Sequence, residues 1–355
     1  MATYLSRYFN VTLCTIGCFG SLPASLAINP IDAFRRGVSF IAYLRQFDVV
    51  ISFSLLPNLI SSLASRYSIL SLTGSPFFAL DHSLLARLYW SFILQPISCL
   101  MADAIVPTSP SVLSPYLKIC PSLRSKVQLI HGFIDTHRID ECLASGSADF
   151  VNLDFPYVLF LANLSRQKGI LHLINIFSLI KHVDPSSDLK LIVCGDGPML
   201  DRCLAQCTAL DLKVSFSCQT MRSSFDVFFA TDVLMPYHYI AQSQLVVCPF
   251  YYEGLSNTIL ESLYLKKPVL AAYNSSSVYL QELFFRNSSD DLKHGGSPLN
   301  LLPFPSKKNY FYWASALVDL TRKSFRPTDK HMDTIMELSA SINIHKWKQL
   351  IDSIN

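Results

Sequence analysis

The segment QLVVCPFYYEGLSNTILESL (residues 244–263) contains a predicted strand, a turn and a predicted helix, in that order. Its first part is apolar apart from Gln244, which is typical of a strand buried on both faces. Residues 254–257 interrupt this run, and we predict a helix from Thr258 to Leu265. A buried strand that leads into a helix is the repeating unit of a parallel α/β sheet.

Apolar runs of this kind alternate with helical segments along the whole chain. In the first part of the chain, the predicted strands are residues 9–16, 47–53, 67–72, 103–107 and 126–130. In the second part, they are residues 157–162, 189–194, 213–216, 244–248 and 268–272. A polar, loop-like segment at residues 132–156 separates the two series. We therefore predict an α/β protein with two doubly wound, Rossmann-like domains that face one another, with the ligand in the cleft beyond the carboxyl ends of their strands.

The composition excludes several classes of protein. With 355 residues, 50% of them hydrophobic and 15% charged, the chain is long enough for two domains and is not a disordered chain. A formal net charge of +3 and the lack of a Lys/Arg run argue against a nucleic-acid partner. The ten cysteines are scattered without the paired C-x2-C spacing of a metal site, so we expect reduced, buried side chains in the cytoplasm.

A mean hydropathy of +0.32 raises the question of membrane contact. Residues 11–30 carry no charge but contain several glycines and prolines, so we predict a strand and a loop rather than a spanning helix or signal peptide. Residues 84–106 are strongly apolar, with Arg87 and Asp103 as their only charges. They indicate either a buried helix of the first domain or a surface that docks peripherally on a membrane.

The loop NLSRQKG (residues 163–169) leaves a predicted strand and enters a predicted helix. Arg166 and Lys168 lie in this loop, at the carboxyl end of the strand. Cations placed beside a helix N-terminus suit a diphosphate, because guanidinium, ammonium and free N–H groups all bind phosphate oxygens. The alternative is a solvated turn without a ligand.

The next strand ends in CGDGPML (residues 194–200), in which Gly195 and Gly197 permit a tight turn and a close approach of the backbone. Such a turn could approach a ligand. It could equally be a simple turn in which Asp196 forms the bend and Pro198 begins a helix.

The segment at residues 244–263 places Glu253 before a helix and Glu261 two turns inside it. The residues of the intervening turn are Gly254, Leu255, Ser256 and Asn257. Their backbone N–H groups would stabilise an anion at the helix N-terminus. A carboxylate at Glu261, in a largely apolar helix, needs a partner and could accept two hydrogen bonds from a ribose diol. The alternative makes Glu253 an ordinary helix-start carboxylate and Glu261 a surface residue.

Four motifs together resemble glycosyltransferase family 4, whose members are retaining, nucleotide-sugar-dependent enzymes of the GT-B fold. The motifs of this chain are NLSRQKG, CGDGPML, EGLSNTILE and LKKPVLA. They occur in the order and at the spacing of the family's G-R-L-x-x-x-K-G, G-x-G-P, E-G-[FL]-x-N-x-x-x-E and [KG]-x-P-V. The resemblance covers about residues 8–355 and is greatest to members that build capsular, exopolysaccharide or lipopolysaccharide glycans.

The resemblance implies transfer of a hexosyl group, with retention of configuration, from a nucleoside diphosphate sugar to a saccharide, in particular a lipid-linked one. It implies that Lys168 and Arg166 stabilise the leaving diphosphate and that Glu253 binds the donor sugar. The implied donor-binding residues are Gly195, Gly197, Gly254, Leu255, Ser256, Asn257 and Glu261. It implies neither a metal nor another cofactor, since fixed donors stabilise the charge. We expect the protein in the cytoplasm, and residues 84–106 leave peripheral contact with the inner face of the membrane as an open alternative.

Two positions depart from the family pattern. The first-loop arginine is replaced by Asn163, and a lost charge-assisted hydrogen bond to phosphate costs roughly 1.5–3 kcal/mol. Where the family often has a histidine in the first domain, this chain has Thr73, Gly74 and Ser75. We treat these three as acceptor-side candidates, although no hydroxyl among them is a general base at neutral pH.

The resemblance also predicts the domain boundaries. We expect an N-terminal domain at residues 1–135, a nucleotide-sugar-binding domain at residues 136–342, and a C-terminal helix at about residues 343–355 that packs back on the first domain. The first strand and Gly-Gly loop of the family are not recognisable, so we expect a truncated N-terminal domain. An upstream start, a decayed copy and a differently closed sheet are the alternatives.

Three functions fit these expectations. The first is the active glycosyltransferase. The second is a non-catalytic relative that binds a nucleotide sugar or a partner protein, favoured by Asn163 and the missing Gly-Gly loop. A nucleotide-sugar epimerase of the same architecture is the third, and the cations and paired glutamates suit it less well.

Overall fold

The structure, a computed structural model, describes residues 1–13, 40–74, 83–145, 153, 155–216, 225–286, 297–323 and 328–354. The chain forms two compact units. Unit 1 consists of Met1–Phe133 and Leu338–Asn355, and unit 2 of Ile134–Glu337. Each unit contains a sheet of parallel strands together with helices, which confirms the predicted α/β class.

The strands of unit 1 are β1 (Val50–Phe53), β2 (Ser68–Leu72) and β3 (Ala104–Pro107). Those of unit 2 are β4 (Tyr157–Leu161), β5 (Lys190–Cys194), β6 (Val214–Ser215), β7 (Val227–Ala230), β8 (Leu245–Cys248), β9 (Val269–Ala272) and β10 (Leu299–Leu302).

The helices of the N-terminal part are α1 (Ala2–Leu5), α2 (Phe40–Leu44), α3 (Leu55–Ala64), α4 (Leu84–Tyr89), α5 (Gln95–Met101) and α6 (Pro110–Ile119). A π-helical turn, Trp90–Leu94, joins α4 to α5, and a 3-10 helix, Pro121–Lys126, follows α6. The next helices are α7 (Thr136–Ser145), α8 (Ile170–Ser178), α9 (Ile180–Val183), α10 (Leu200–Ala209), α11 (Tyr237–Gln242) and α12 (Asn257–Tyr264). The last are α13 (Ser275–Arg286), α14 (Tyr310–Arg322), α15 (Asp329–Glu337) and α16 (Ala340–Ile354).

The described strands of unit 1 pair in parallel in the order β1-β2-β3. Successive side chains of a strand point to opposite faces of the sheet. Ile69 and Val106 therefore pack in one core with Trp347 of α16, whereas Leu70 and Ile105 pack in a second core with α5 and α6. The C-terminal helix is thus an integral part of the core of unit 1.

Two strand predictions for unit 1 were wrong. Residues 9–13 are not a strand, and the rest of the predicted strand at 9–16 lies outside the described residues. The predicted strand at residues 126–130 is reduced to a single bridge between Val127 and Ile105. An apolar pattern marks burial in both places, but burial alone does not supply a pairing partner.

Unit 2 contains a seven-stranded parallel sheet in the order β10-β9-β8-β4-β5-β7-β6. The sequence analysis did not predict β7 or β10. The segment at residues 132–156 is not all linker, since it contains α7. Ile139 and Cys142 are the buried residues of this helix, with i,i+3 spacing, and most of its other positions are polar.

The segment Leu84–Met101 is continuous helix apart from its π-helical turn, and it carries only one charged residue. It is long and apolar enough to cross a membrane, and only 28% of it is buried. Its exposed large apolar side chains are Leu84, Leu85, Tyr89, Phe92, Ile93, Ile97, Leu100 and Met101. The prediction of a buried helix therefore holds only for α5, which packs in the core of unit 1 through Cys99, whereas most of the segment is exposed.

Candidate functional site

The strand order of unit 2 reverses between β4 and β8. From β4 the sheet grows through β5 on one side, and from β8 it grows through β9 on the other. Ligands of doubly wound sheets bind outside the carboxyl ends of the strands at such a switch point. The predicted loops after β4 and β8 start at this position, and the glycine loop after β5 adjoins them.

The loops after β4 and β8 are held together by backbone and side-chain contacts. The backbone N–H of Tyr251 donates to the carbonyl of Gln167 at 2.8 Å, and the Gln167 side chain donates to the carbonyl of Tyr252 at 2.7 Å. Lys168 and Glu253, one from each loop, form an ion pair. The structure thus brings together two residues that the sequence predicted to be catalytic.

The ion pair is largely shielded from water. The exposed fractions of the side chains are 17% for Lys168 and 21% for Glu253. The Lys168 ammonium also lies 4.5 Å from the centroid of the Phe250 ring, which provides a cation–π contact. Charges interact more strongly when they are shielded from water. Since Lys168 has a single ammonium group, a phosphate that binds it would compete with Glu253.

Arg166 lies in the 3-10 helix Arg166–Lys168 and is exposed, as is Asn163. Arg166 forms no ion pair with any carboxylate among the described residues. Its guanidinium is therefore available to an anion, but the structure does not join it to the pair of Lys168 and Glu253.

The glycine loop after β5 packs against the loop after β4 through backbone atoms. Leu164 donates its N–H to the carbonyl of Asp196 at 2.8 Å. Gly195 has a φ of 142°, and a Cβ there would lie 2.0 Å from the carbonyl oxygen of Ala162. Gly197 has a φ of 155°, and a Cβ there would lie 2.7 Å from the Leu164 carbonyl. Glycine is thus required at both positions by loop packing, before any ligand is considered.

The third predicted element begins α12. Ser256 caps the helix by accepting a hydrogen bond from the Ile259 N–H at 3.4 Å, and Thr258 donates to the Leu161 carbonyl at the end of β4 at 3.1 Å. Gly254, Leu255 and Ser256 are buried, whereas Asn257 is exposed. The side chain of Ser256 therefore has a structural role, and the N-terminus of α12 is fixed at the carboxyl edge of the sheet.

Glu261 lies further along α12 and is half-buried. Burial raises the pKa of its carboxyl to about 7, and the nearby charge of Arg138 partly opposes this shift. Burial and the Glu261 charge raise the pKa of Tyr237 to about 12. Glu261 is therefore not an ordinary solvated surface carboxylate.

Sequence reasoning missed Arg138 because it lies in the segment read as a linker. Helix α7 carries Arg138 and is attached to its neighbours by polar contacts. Tyr264 donates to Asp140 at 2.8 Å, and the His238 ring lies 3.2 Å from the Cys142 carbonyl. The i,i+3 spacing of the buried residues of α7 was the signal that could have shown a helix here.

The acceptor-side candidates belong to unit 1. Thr73 is exposed and Gly74 half-buried, directly after the carboxyl end of β2, and Ser75 lies outside the described residues. Among the described residues, no group of three or more His, Cys, Asp or Glu side chains could hold a metal ion.

These three loops lie within a match to a known protein family. The model of the family described as "Glycosyl transferases group 1" matches residues 155–282, which include all three loops. The matched residues all lie within unit 2. A glycosyltransferase of Campylobacter jejuni, the N-acetylgalactosamine-N,N'-diacetylbacillosaminyl-diphospho-undecaprenol 4-alpha-N-acetylgalactosaminyltransferase, is 25% identical to this chain over 183 residues. The match covers 52% of this chain and 44% of that protein, so the chain spans less than half of its relative.

Solved structures of glycosyltransferases share the fold. HepE from Anabaena, solved in complex with UDP-glucose, has a TM-score of 0.62 at 15% identity, over 88% of this chain and 80% of its own. An α,α-trehalose-phosphate synthase (UDP-forming) from Burkholderia vietnamiensis has a TM-score of 0.66 at 9% identity, over 93% of this chain and 78% of its own. These matches confirm the predicted GT-B fold.

Proposed function

We propose that the protein transfers a hexosyl group from a nucleoside diphosphate sugar to a lipid-linked saccharide in surface polysaccharide biosynthesis, with retention of configuration. The observation that carries this proposal is the ion pair of Lys168 and Glu253 beside the N-terminus of α12, at the switch point of a group 1 glycosyltransferase sheet. The Campylobacter relative is named for a diphospho-undecaprenol substrate, which supports a lipid-linked acceptor. The protein would act in the cytoplasm, at the inner face of the membrane.

In this proposal each group has one task. Lys168, Arg166 and the N–H groups at the start of α12 stabilise the negative charge that develops on the leaving diphosphate. Glu253 accepts hydrogen bonds from the donor sugar, and Glu261 accepts them from the ribose. In a retaining transfer, the leaving phosphate helps to remove the acceptor proton on the same face of the sugar. These fixed donors provide the electrostatic stabilisation without a metal ion.

Donor binding is the first test of the proposed function. We expect at least one of UDP, GDP and TDP to raise the Tm of the purified chain, because a ligand that binds only the folded state stabilises it. The corresponding nucleotide sugar should be hydrolysed slowly, and the released nucleotide is the quantity to measure. A chain that responds to no nucleotide would contradict every donor-binding function.

A non-catalytic relative is the second candidate. Asn163 in place of the family's arginine, together with the engagement of Lys168 by Glu253, favours it. The two candidates differ in one result, since a nucleotide would stabilise both proteins but only the enzyme would transfer or hydrolyse the sugar.

We also propose contact with the membrane through the exposed apolar face of Leu84–Met101. Burial of apolar side chains in the headgroup region is favourable by about 0.8 kcal/mol for each CH2 group. We expect the chain to sediment with vesicles of phosphatidylethanolamine and phosphatidylglycerol. The double variant Leu85→Glu, Phe92→Glu should bind them at least ~10-fold less well, because both exposed side chains would become charged.

Leu234→Glu is the matched control for this prediction. Leu234 is 85% exposed in unit 2, so the substitution adds a charge to an exposed apolar position outside this helix. Equal vesicle binding by the control and the double variant, or no binding by the unmodified chain, would show that the helix does not dock on a bilayer.

A further inference from the structure

Unit 1 contains a groove that has no part in the donor site. It has a volume of about 580 Å³, within the range of small-molecule sites. Helix α6, the 3-10 helix Pro121–Lys126 and residues up to Leu129 form its walls. Its lining is mostly apolar and includes Leu113, Leu117 and Val127. An apolar floor of this kind suits a hydrocarbon chain rather than a free polar solute.

Two cations line the same groove. Lys118 and Arg124 belong to its lining, and no lining residue is acidic. Both side chains are exposed, and neither forms an ion pair with a carboxylate in the described part of the chain. The groove therefore combines an apolar surface with two uncompensated positive charges, which is complementary to an anionic amphiphile.

The groove adjoins the end of the apolar helix. Lys126, the last residue of the 3-10 helix that carries Arg124, donates to the carbonyls of Leu100 and Ala102, each at 2.7 Å. These carbonyls lie at the C-terminus of Leu84–Met101. A lipid held in the groove would therefore have an exposed apolar surface next to it for the remainder of its chain.

The groove also begins at the edge of the sheet that carries the acceptor-side candidates. Pro107 lines the groove and ends β3, and it pairs in register with Leu72 of β2. The N–H of Thr108 donates to the Leu72 carbonyl at 3.0 Å, and Thr73 is the next residue of the chain after Leu72. The groove and Thr73 thus lie at the same carboxyl edge of the sheet, where doubly wound sheets bind ligands.

We propose that this groove binds the diphosphate and the first isoprene units of a polyprenyl-diphosphate-linked acceptor. Lys118 and Arg124 bind the two phosphates, and the leucines and prolines of the groove contact the hydrocarbon. The proposal rests on the proposed function for the identity of the acceptor. The preference of the groove for an isoprenoid diphosphate does not depend on the proposed function.

Direct binding tests the groove whether or not the chain is active. The probe is farnesyl diphosphate, and inorganic diphosphate and farnesol are the comparison ligands. Titration of the full chain in saturating UDP prevents binding of the diphosphate at the donor site. We expect farnesyl diphosphate to bind at least ~10-fold more tightly than either comparison ligand, because only it satisfies both the cations and the apolar lining.

The double variant Lys118→Ala, Arg124→Ala should lose this binding by about 10- to 100-fold, whereas Lys118→Arg, Arg124→Lys should retain most of it. Arg45→Ala, Arg66→Ala is the matched control. It removes two exposed cations that precede β1 and β2 at the opposite edge of the same sheet. Absence of farnesyl diphosphate binding, equal loss in the control, or binding as tight for inorganic diphosphate would each overturn the proposal.

Transfer assays separate this proposal from the proposed function. With a polyprenyl-diphosphate saccharide, the alanine double variant should show a KM raised about 10- to 100-fold. With the same saccharide on a neutral alkyl group, its KM should equal that of the unmodified chain. No transfer to any acceptor would contradict the proposed function, while the farnesyl diphosphate titration would still decide the role of the groove.

Discussion

Glu253→Gln should bind UDP more tightly than the unmodified chain and yet transfer sugar at least ~100-fold more slowly. Glu253 engages the Lys168 ammonium in the free protein, so the substitution makes that ammonium available to the diphosphate. UDP lacks the sugar that Glu253 would bind. Its affinity therefore reports only the stronger contact between Lys168 and the diphosphate. One charge-assisted contact corresponds to a gain of about 10-fold. Calorimetric titration with UDP and initial rates with the nucleotide sugar measure the two effects.

Lys168→Ala should have the opposite effect on UDP, with affinity reduced about 10- to 100-fold, because the phosphate loses its ammonium partner. Asp188→Asn is the matched control, since Asp188 pairs with Lys190 at 2.8 Å elsewhere in unit 2. It should leave both UDP affinity and transfer unchanged. If Glu253→Gln and Lys168→Ala weaken UDP binding equally, the pair is not in competition with the phosphate.

Donor affinity should fall as the pH is lowered through about 7, because the carboxyl of Glu261 has its pKa raised to that value and must be ionised to accept the ribose hydroxyls. Glu261→Gln should weaken binding about 10- to 100-fold at pH 8 and remove most of the pH dependence. The titrations should use a nucleotide sugar as the ligand. The terminal phosphate of UDP titrates at about pH 6 and would add a pH dependence of its own. Glu282→Gln, an exposed carboxylate of α13, is the control.

Glu261→Gln should weaken donor binding at pH 8 but increase the stability of the folded protein at the same pH. The pKa of Glu261 is higher in the folded protein than its usual value of 4.5, so the folded state binds more protons between that value and about 7. Stability contributed by this group is therefore present at low pH and is lost as the pH rises through the window. Glu261→Gln should raise the free energy of unfolding at pH 8 by up to about 3 kcal/mol and change it little at pH 5. Unchanged stability at pH 8 together with unchanged donor affinity would contradict the assignment.

The sequence predicted the three loops of the candidate site because each of them is a local element. Each loop follows a continuous apolar strand, and Gly195, Lys168 and Glu253 occupy loop positions that a single β-α unit defines. The parallel sheet then brings these loops together at one edge, as the strand order shows. What could not be predicted was the contact between Lys168 and Glu253, which are 85 positions apart in the chain.

The sequence-based prediction was wrong where a polar segment was interpreted as a loop. Helix α7 was mistaken for linker because a helix with one apolar stripe has polar residues at most positions. Arg138, whose charge lowers the pKa of Glu261, was missed for the same reason. The groove of unit 1 was missed for a different reason. Its lining combines α6, a 3-10 helix and a segment predicted to be a strand, and only their packing makes Lys118 and Arg124 neighbours of one apolar surface.

The position of α16 in the core of unit 1 has a consequence for the order of folding. Trp347, Ile344 and Ile351 pack with residues of α1, β2 and β3, so segments from before and after unit 2 contribute to one core. Unit 2 is continuous in sequence and emerges complete from the ribosome before α16 does. Because domains fold as units during synthesis, the second unit can reach its native packing first. The first unit must wait, with part of its apolar interior open, until the residues of α16 have been made.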